Sequence, residues 1–326
     1  MQDSHGRQID YLRIALTDRC NLRCIYCMPP QGLTVTPPKE LLTPVELERV
    51  ARAAVALGFR KFRLTGGEPT LRVNLVEIVE RLAGIPGVEQ LVMTTNGARL
   101  AELAGPLARA GLQRVNLHLD SLEPHSLSQA MLFNSLERAW GAIAAAEDAG
   151  LRPVKINAVV VKGRNDDFVP QLAQLTLKRD WGVRFIELIP IGEMAAVALE
   201  NFVSSQETKE SIEAYHGPLA PLNGGQVVGE ARLYRLPGGR GEVGFISPVS
   251  DPYCDSCSRM RLTADGKLRP CLLSDQELDL RATLRQGGSQ QDLEAIFRQA
   301  ILEKPIGWKL QEGVYPQGRT MGQVGG

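Results

Sequence analysis

Cys20, Cys24 and Cys27 place three thiols within eight residues of the stretch TDRCNLRCIYC (17–27), and no fourth ligand stands beside them. Three thiolates can hold three irons of a cubane [4Fe–4S] cluster and leave the fourth iron open to a small molecule. An open coordination position marks a metal site that reacts rather than braces. On spacing alone, a zinc ion completed by a distant ligand competes with that reading. A second set, Cys254, Cys257 and Cys271 in PYCDSCSRMRLTADGKLRPCL (252–272), repeats the three-thiol count. Asp265-Gly266 is a two-residue hairpin signal, and folding back about it sets Cys271 opposite Met260, within reach of Cys257. A zinc ribbon is the alternative there, but the first motif tilts the reading toward a second open cluster. Arg259 and Arg261 stand two apart and face one side of a strand. Two guanidiniums beside an open iron suit an anionic substrate; without the flanking cysteines they would read as exposed strand arginines.

These residues need a scaffold, and the chain of 326 residues with 44% hydrophobic content can bury a sizeable core. Lys+Arg and Asp+Glu balance at 37 each, which argues against a nucleic-acid or membrane-surface protein. No apolar run reaches the length of a membrane span and the N-terminus carries no signal core, so a soluble cytoplasmic chain is expected. Six clustered cysteines point to metal binding in a reducing compartment rather than to disulfides. Apolar, β-branched runs predict strands at 11–16, 60–65, 90–95, 114–119, 154–161 and 183–188. Helical periodicity predicts helices at 44–57, 73–83, 98–110, 135–149 and 167–180, the first capped by Thr43, Pro44 and Glu46 and stopped at Gly58. Such alternation gives an α/β fold: an incomplete (βα)6 TIM-type barrel, its chemistry at the C-terminal ends of the strands. After residue 215 the texture turns Gly/Pro-rich with short antiparallel strands. The expectation is a partial barrel over 1–215 and a small α+β domain over 216–326 that carries the second cluster.

C-x3-C-x2-C with Tyr26 before the third cysteine, followed by GGEP at 66–69, resembles the paired motifs of radical S-adenosylmethionine (SAM) enzymes. Alone, TGGEPT would read as a strand-to-helix turn. With the triplet it reads as a ligand site, the glycines admitting close backbone approach and Glu68 or backbone carbonyls receiving an ammonium group. The resemblance implies that SAM chelates the open iron, takes an electron at its sulfonium and yields a 5′-deoxyadenosyl radical.

Over residues 4–326 the chain is similar, more narrowly, to the GTP 3′,8-cyclase family of molybdenum cofactor biosynthesis. The matching stretches are GRQIDYLRIALTDRCNLRCIYCMP (6–29), RLTGGEPTLR (63–72), TTNG (94–97), VKIN (154–157), RFIELIPIGE (184–193), CDSCSRMRLTADGKLRPCL (254–272) and the terminal RTMGQVGG. That resemblance implies two [4Fe–4S] clusters, one on Cys20, Cys24 and Cys27, the other on Cys254, Cys257 and Cys271 facing the guanine of GTP. It implies SAM contacts at Tyr26, Gly66, Gly67, Glu68, His118 and Ile189. GTP contacts are implied at Arg13, Lys61, Arg63, Thr94, Lys155, Arg259 and Arg261. Arg13, Arg259 and Arg261, with Gly325 and Gly326 of a tail that enters the site, are the residues tied to turnover; a glycine terminus is otherwise frayed. Lys155 stands out independently, since a cation in an apolar strand needs a partner or an aqueous lumen.

The implied reaction removes the ribose 3′ hydrogen, joins that carbon to C8 of guanine, then adds an electron and a proton. Its implied partners are GTP, an electron donor and a downstream pathway enzyme, with a homodimer as the assembly to test. His118, Ile189 and Trp308 depart from the family's usual serine, methionine and histidine, and segment 125–134 matches weakly. The rival readings are a peptide-maturing radical SAM enzyme and a zinc-stabilised binding protein.

Overall fold

The computed structural model describes residues 1–29, 31–132 and 135–325; Gly326 and part of the weakly matching segment, Phe133 and Asn134, lie outside the described residues. Six parallel strands follow the expected order: β1 (Tyr11–Ala15), β2 (Lys61–Thr65), β3 (Gln90–Thr95), β4 (Arg114–His118), β5 (Lys155–Val160) and β6 (Gly182–Glu187). The crossovers carry α1 (Pro44–Ala56), α2 (Leu75–Ala83), α3 (Leu100–Arg109), α4 (Pro124–Ala130), α5 (Leu136–Asp148) and α6 (Val169–Lys178). Helix α1 starts as its sequence dictates. The Thr43 side chain accepts from the Glu46 amide and Glu46 reaches back to the Thr43 amide, while Gly58 leaves the helix at φ +96°. Helix α4 was not expected, its N-terminus being held by Glu123, which accepts from the amides of His125 and Ser126.

Alternation along the strands divides the molecule into two faces. Leu12 and Ile14, Phe62 and Leu64, Leu91 and Met93, Val115 and Leu117, Ile156 and Ala158, Val183 and Phe185 point outward and are buried beneath the helices. Each of these side chains larger than alanine contributes roughly 1.5–3 kcal/mol, so this outer layer holds the barrel together. The opposite face lines a central cavity with Tyr11, Arg13, Lys61, Arg63, Arg114, Asn116, Lys155, Asn157 and Arg184. Barrels usually fill that interior with branched apolar side chains. A lumen this polar is built for a ligand.

The region beyond 215 differs from expectation. It contributes β7 (Ala220–Pro221), β8 (Val227–Val228), β9 (Ala231–Arg235), β10 (Glu242–Ile246), β11 (Arg259–Leu262), β12 (Lys267–Arg269) and β13 (Leu278–Asp279). These are not all antiparallel: β10 runs parallel beside β6, and β11 runs parallel beside β1. One unclosed sheet results, ordered β8-β9-β10-β6-β5-β4-β3-β2-β1-β11-β12-β13, with β7 on β9. The expected Asp265-Gly266 turn is also longer by one residue. Arg261 pairs with Arg269 and the Thr263 amide meets the Lys267 carbonyl, leaving a three-residue loop with Gly266 at φ +82°. This register shifts Cys271 off Met260 and beyond the end of β12. Helices α7 (Ala195–Glu200), α8 (Ser205–His216), α9 (Leu280–Arg285), α10 (Gln290–Leu302) and α11 (Met321–Val324) complete the chain. Among the described residues no helix is long and apolar enough to cross a membrane.

Candidate active site

The first three thiols lie in the loop that leaves the C-terminal end of β1, and the GGEP segment packs onto that loop. The Gly67 amide donates to the Thr17 carbonyl at 2.7 Å and the Glu68 amide to the Arg19 carbonyl at 2.8 Å. A Cβ on Gly66 would stand 2.3 Å from the Thr17 oxygen, and one on Gly67 2.4 Å from the Arg19 oxygen. Both glycines are therefore required by backbone-to-backbone contact with the cysteine loop, whatever ligand they also meet. Glu68 is buried, and its carboxylate accepts from the amide and hydroxyl of Thr70, the hydroxyl of Thr95 and the amide of Asn96. It ties the ends of β2 and β3 together beneath Cys20, whose sulfur lies 3.8 Å from the side-chain Nδ2 of Asn96.

Tyr26 and His118 meet over the same rim through Asp120, to which the sequence reading gave no individual role. The Tyr26 hydroxyl donates to Asp120 at 2.5 Å and lies 2.5 Å from His118 Nε2, which itself stands 2.9 Å from Asp120. Asp120 is fully buried and also accepts from the Val159 amide. Burial opposes charge on His118, yet the Asp120 carboxylate overcomes it and raises the imidazole above its ordinary value.

The second trio occupies the opposite end of the lumen. Cys254 and Cys257 precede β11, whose Arg259 is level with Tyr11 at the start of β1. The length of β1, roughly 13 Å at 3.3 Å per residue, thus separates the two levels. Cys271 reaches Cys257 not across a ladder but through Lys304, a buried ammonium that donates to the carbonyls of Arg259 (2.8 Å) and Pro270 (2.7 Å). Arg7 closes the outside, donating to the carbonyls of Cys254 and Ile306.

All six thiols open on one cavity of about 560 Å³. Among the described residues no three His, Cys, Asp or Glu side chains are grouped as a single metal ion would need. Two all-thiol sets around a wide cavity fit iron–sulfur clusters. Burial pushes the Cys20, Cys24 and Cys27 thiols up, Cys27 to about 12, so their thiolates call for a cationic centre. At Cys257 burial acts the same way, but Arg259 and Lys304 outweigh it and bring the thiol down to about 7.

Between the two ends lies a band of cations. Arg63 donates to the Tyr11 hydroxyl and, at 3.0 Å, to Thr94. Arg114 and Arg184 line the same wall as Lys155, and each has a buried Nε with no hydrogen-bond partner among the described residues. Asn116 and Asn157 present carboxamide oxygens there that have no partner among the described residues. Burial first, then Arg184 and Arg114, drive the Lys155 ammonium down to about 7. Arg114 and Arg184 were missed in the sequence, although Arg184 in VRFIEL carries the same signal as Lys155, a cation in an apolar strand. Glu230, from the β8–β9 turn, was missed for want of any signal. Its carboxylate lies 3.0 Å from Arg13 and 2.7 Å from Arg259, which hold it well below the usual range despite burial.

Every other expected site residue with a described position lines this cavity except Gly325, which meets two lining residues, Arg261 and Thr65. Lys61 sits at the mouth, paired at 3.0 Å with Asp10, and Ile189 and Trp308 stand at opposite ends of the lining. The tail is anchored by Arg319, bridged to Glu277 (2.6 Å) and Asp265 (3.0 Å), and α11 then carries Gly322 past Cys27. Arg261 donates to the carbonyls of Val324 and Gly325.

The Radical SAM superfamily model matches residues 14–176 and the Molybdenum Cofactor Synthesis C model residues 181–310. GTP 3′,8-cyclases of Pelotomaculum thermopropionicum and Moorella thermoacetica are each 45% identical over the full length of both chains. Among solved structures, Streptococcus suis SuiB bound to S-adenosylmethionine superposes with a TM-score of 0.59 at 14% identity, covering 83% of this chain and 63% of that one. Native anSMEcpe with bound AdoMet gives 0.53 at 13% identity, covering 94% and 82%. These two share the fold, a partial barrel with a C-terminal extension. The full-length relatives and both family models place the chain in the GTP 3′,8-cyclase family of the radical SAM superfamily.

Proposed function

We propose that this enzyme converts GTP to (8S)-3′,8-cyclo-7,8-dihydroguanosine 5′-triphosphate, an early step of molybdenum cofactor biosynthesis. Its cofactors are SAM and two [4Fe–4S] clusters, held by Cys20, Cys24 and Cys27 and by Cys254, Cys257 and Cys271. When bound, the first cluster with SAM supplies the 5′-deoxyadenosyl radical. The observation that carries the reading is the band of cations between the two thiol sets, in which the Nε atoms of Arg114 and Arg184 are buried without a hydrogen-bond partner among the described residues. Lys155, Arg114 and Arg184, with Arg63, take the triphosphate, because clustered cations with buried, unsatisfied N–H groups call for anionic oxygens. Thr94 and Lys61 serve the same ligand at its margin. Arg261 orients the purine beside the second thiol set, Arg13 and Arg259, which share the Glu230 carboxylate, reach the phosphates, and the tail glycines Gly325 and Gly326 close water out.

On the SAM side, Tyr26, Gly66, Gly67, His118 and Ile189 form the cradle. Glu68 acts through the loops it ties, since its carboxylate already accepts four hydrogen bonds from the protein. Residues 1–215 serve the radical-generating half and 216–326 the auxiliary half. A cytoplasmic location, an electron donor, a pathway enzyme that takes the product, and a homodimer belong to the same reading. Reconstituted protein given reductant, SAM and GTP without oxygen is the test. 5′-Deoxyadenosine no more abundant with GTP than without it would sink the assignment.

A further inference from the structure

The lining of the lumen includes three carboxylates among the described residues, Glu68, Glu187 and Glu230. Glu68 is consumed by the loops it ties. Glu187 is consumed likewise, accepting from the amides of Ser205, Val249 and Ser250. Glu230 alone of the three faces the arginines. It stands in a two-residue turn, Gly229–Glu230, between the paired Val228 and Ala231, with Gly229 at φ +70°. One of its oxygens takes both Arg13 Nη1 and Arg259 Nη1. We propose that Glu230 is a built-in competitor of the nucleotide's phosphates: it satisfies Arg13 and Arg259 until a triphosphate displaces it, and so sets how tightly the lumen holds phosphate ligands.

Displacement follows from charge and from tethering. A carboxylate and a polyphosphate cannot share the same guanidiniums without mutual repulsion, and the ligand carries more charge. The turn that bears Glu230 is loosely held. β8 contributes two residue pairs to the sheet, and Val228 at its tip is 43% exposed. Arg259 keeps other partners when the carboxylate leaves, its nitrogen lying 3.4 Å from Cys257 Sγ and its guanidinium 4.8 Å from the centre of the Tyr253 ring. Every phosphate ligand that needs these guanidiniums meets the same competitor, so each is weakened by a similar factor.

This proposal rests on the reading of the lumen as a triphosphate site. It is tested by equilibrium binding of GTP, GDP and inorganic tripolyphosphate to the anaerobic holoenzyme and to its Glu230→Gln and Glu230→Asp variants. Glu230→Gln is expected to tighten GTP and tripolyphosphate on the order of tenfold, and GDP by a similar factor. Glu230→Asp should fall between. Unchanged or weaker binding of tripolyphosphate by Glu230→Gln overturns the proposal. Hydrogen exchange of residues 226–231 in the unaltered protein is a second readout, which does not depend on the variants folding. Exchange should quicken when tripolyphosphate is added, and slowing overturns the idea. Tighter tripolyphosphate binding in a variant whose parent makes no cyclic product from GTP would keep Glu230's role and refute the substrate. No tripolyphosphate binding by either protein refutes both.

Discussion

The guanidinium of Arg261 donates to the carbonyl oxygen of Gly325, so a residue of β11 grips the chain one position before its end. The grip needs glycine. Gly325 is at φ +73°, and a Cβ there would stand 2.3 Å from the Thr65 hydroxyl oxygen. Gly325→Ala should push the tail out of the lumen while both thiol sets stay intact. Iron content and SAM cleavage without substrate are expected to persist, and the yield of cyclic product to fall by roughly a hundredfold. Full product yield would show the tail to be ornamental.

Gly66→Ala and Gly67→Ala act on a different joint. Each new methyl would collide with a carbonyl of the first cysteine loop, at Thr17 or Arg19. The loop is expected to be pushed off position, leaving about four irons per chain instead of about eight. Iron analysis with spectroscopy that resolves the two clusters checks this, and retention of both would show that the loop tolerates the shift.

Glu68→Gln separates a structural role from a ligand role. The amide replaces an acceptor oxygen with a donor that faces donors already aimed at it. The loss is about 1–3 kcal/mol, a fall of several degrees in the unfolding midpoint. It should be visible in the cluster-free protein. An unshifted midpoint with weakened SAM binding would instead make Glu68 a SAM ligand first.

Lys155 links binding to pH. Its ammonium, lowered from 10.5 to about 7 by burial and by Arg184 and Arg114, regains its proton when an anion arrives. Triphosphate binding should therefore take up a proton above pH 7 and weaken as pH rises toward 9. Without the ligand, the unfolded chain holds the proton that the fold sheds between pH 7 and 10.5, so stability should rise with pH across that window. Calorimetry in buffers of different ionisation enthalpy measures the uptake, and Lys155→Arg should abolish it.

The six barrel strands and the five expected helices were legible because each buries an apolar face whose period is local. Three things were not legible. Which strands border β1 and β6 depends on partners far along the chain, and no local pattern announces that β10 and β11 run parallel to them. The position of Cys271 turned on one residue of turn length, which the Asp-Gly signal does not fix. Of the site itself, the cysteines and most lumen residues were marked by motif or resemblance. Arg184 was legible by the reasoning applied to Lys155. Arg114, at the start of its strand, and Glu230, in a glycine-rich turn, look from the sequence like ordinary surface charges.

The pairing of β1 with both β2 and β11 has a consequence for the chain as it is made. Tyr11 emerges from the ribosome early, yet its neighbour Arg259 follows roughly ten to fifty seconds later at ordinary elongation rates. For that interval the strand that leads into the first three thiols shows one bare hydrogen-bonding edge, the kind that pairs with strangers. β6 waits in the same way for β10. The nascent protein is thus a half-staved cask with reactive thiols at its lip, and its need for protection is greatest before its second half has been translated.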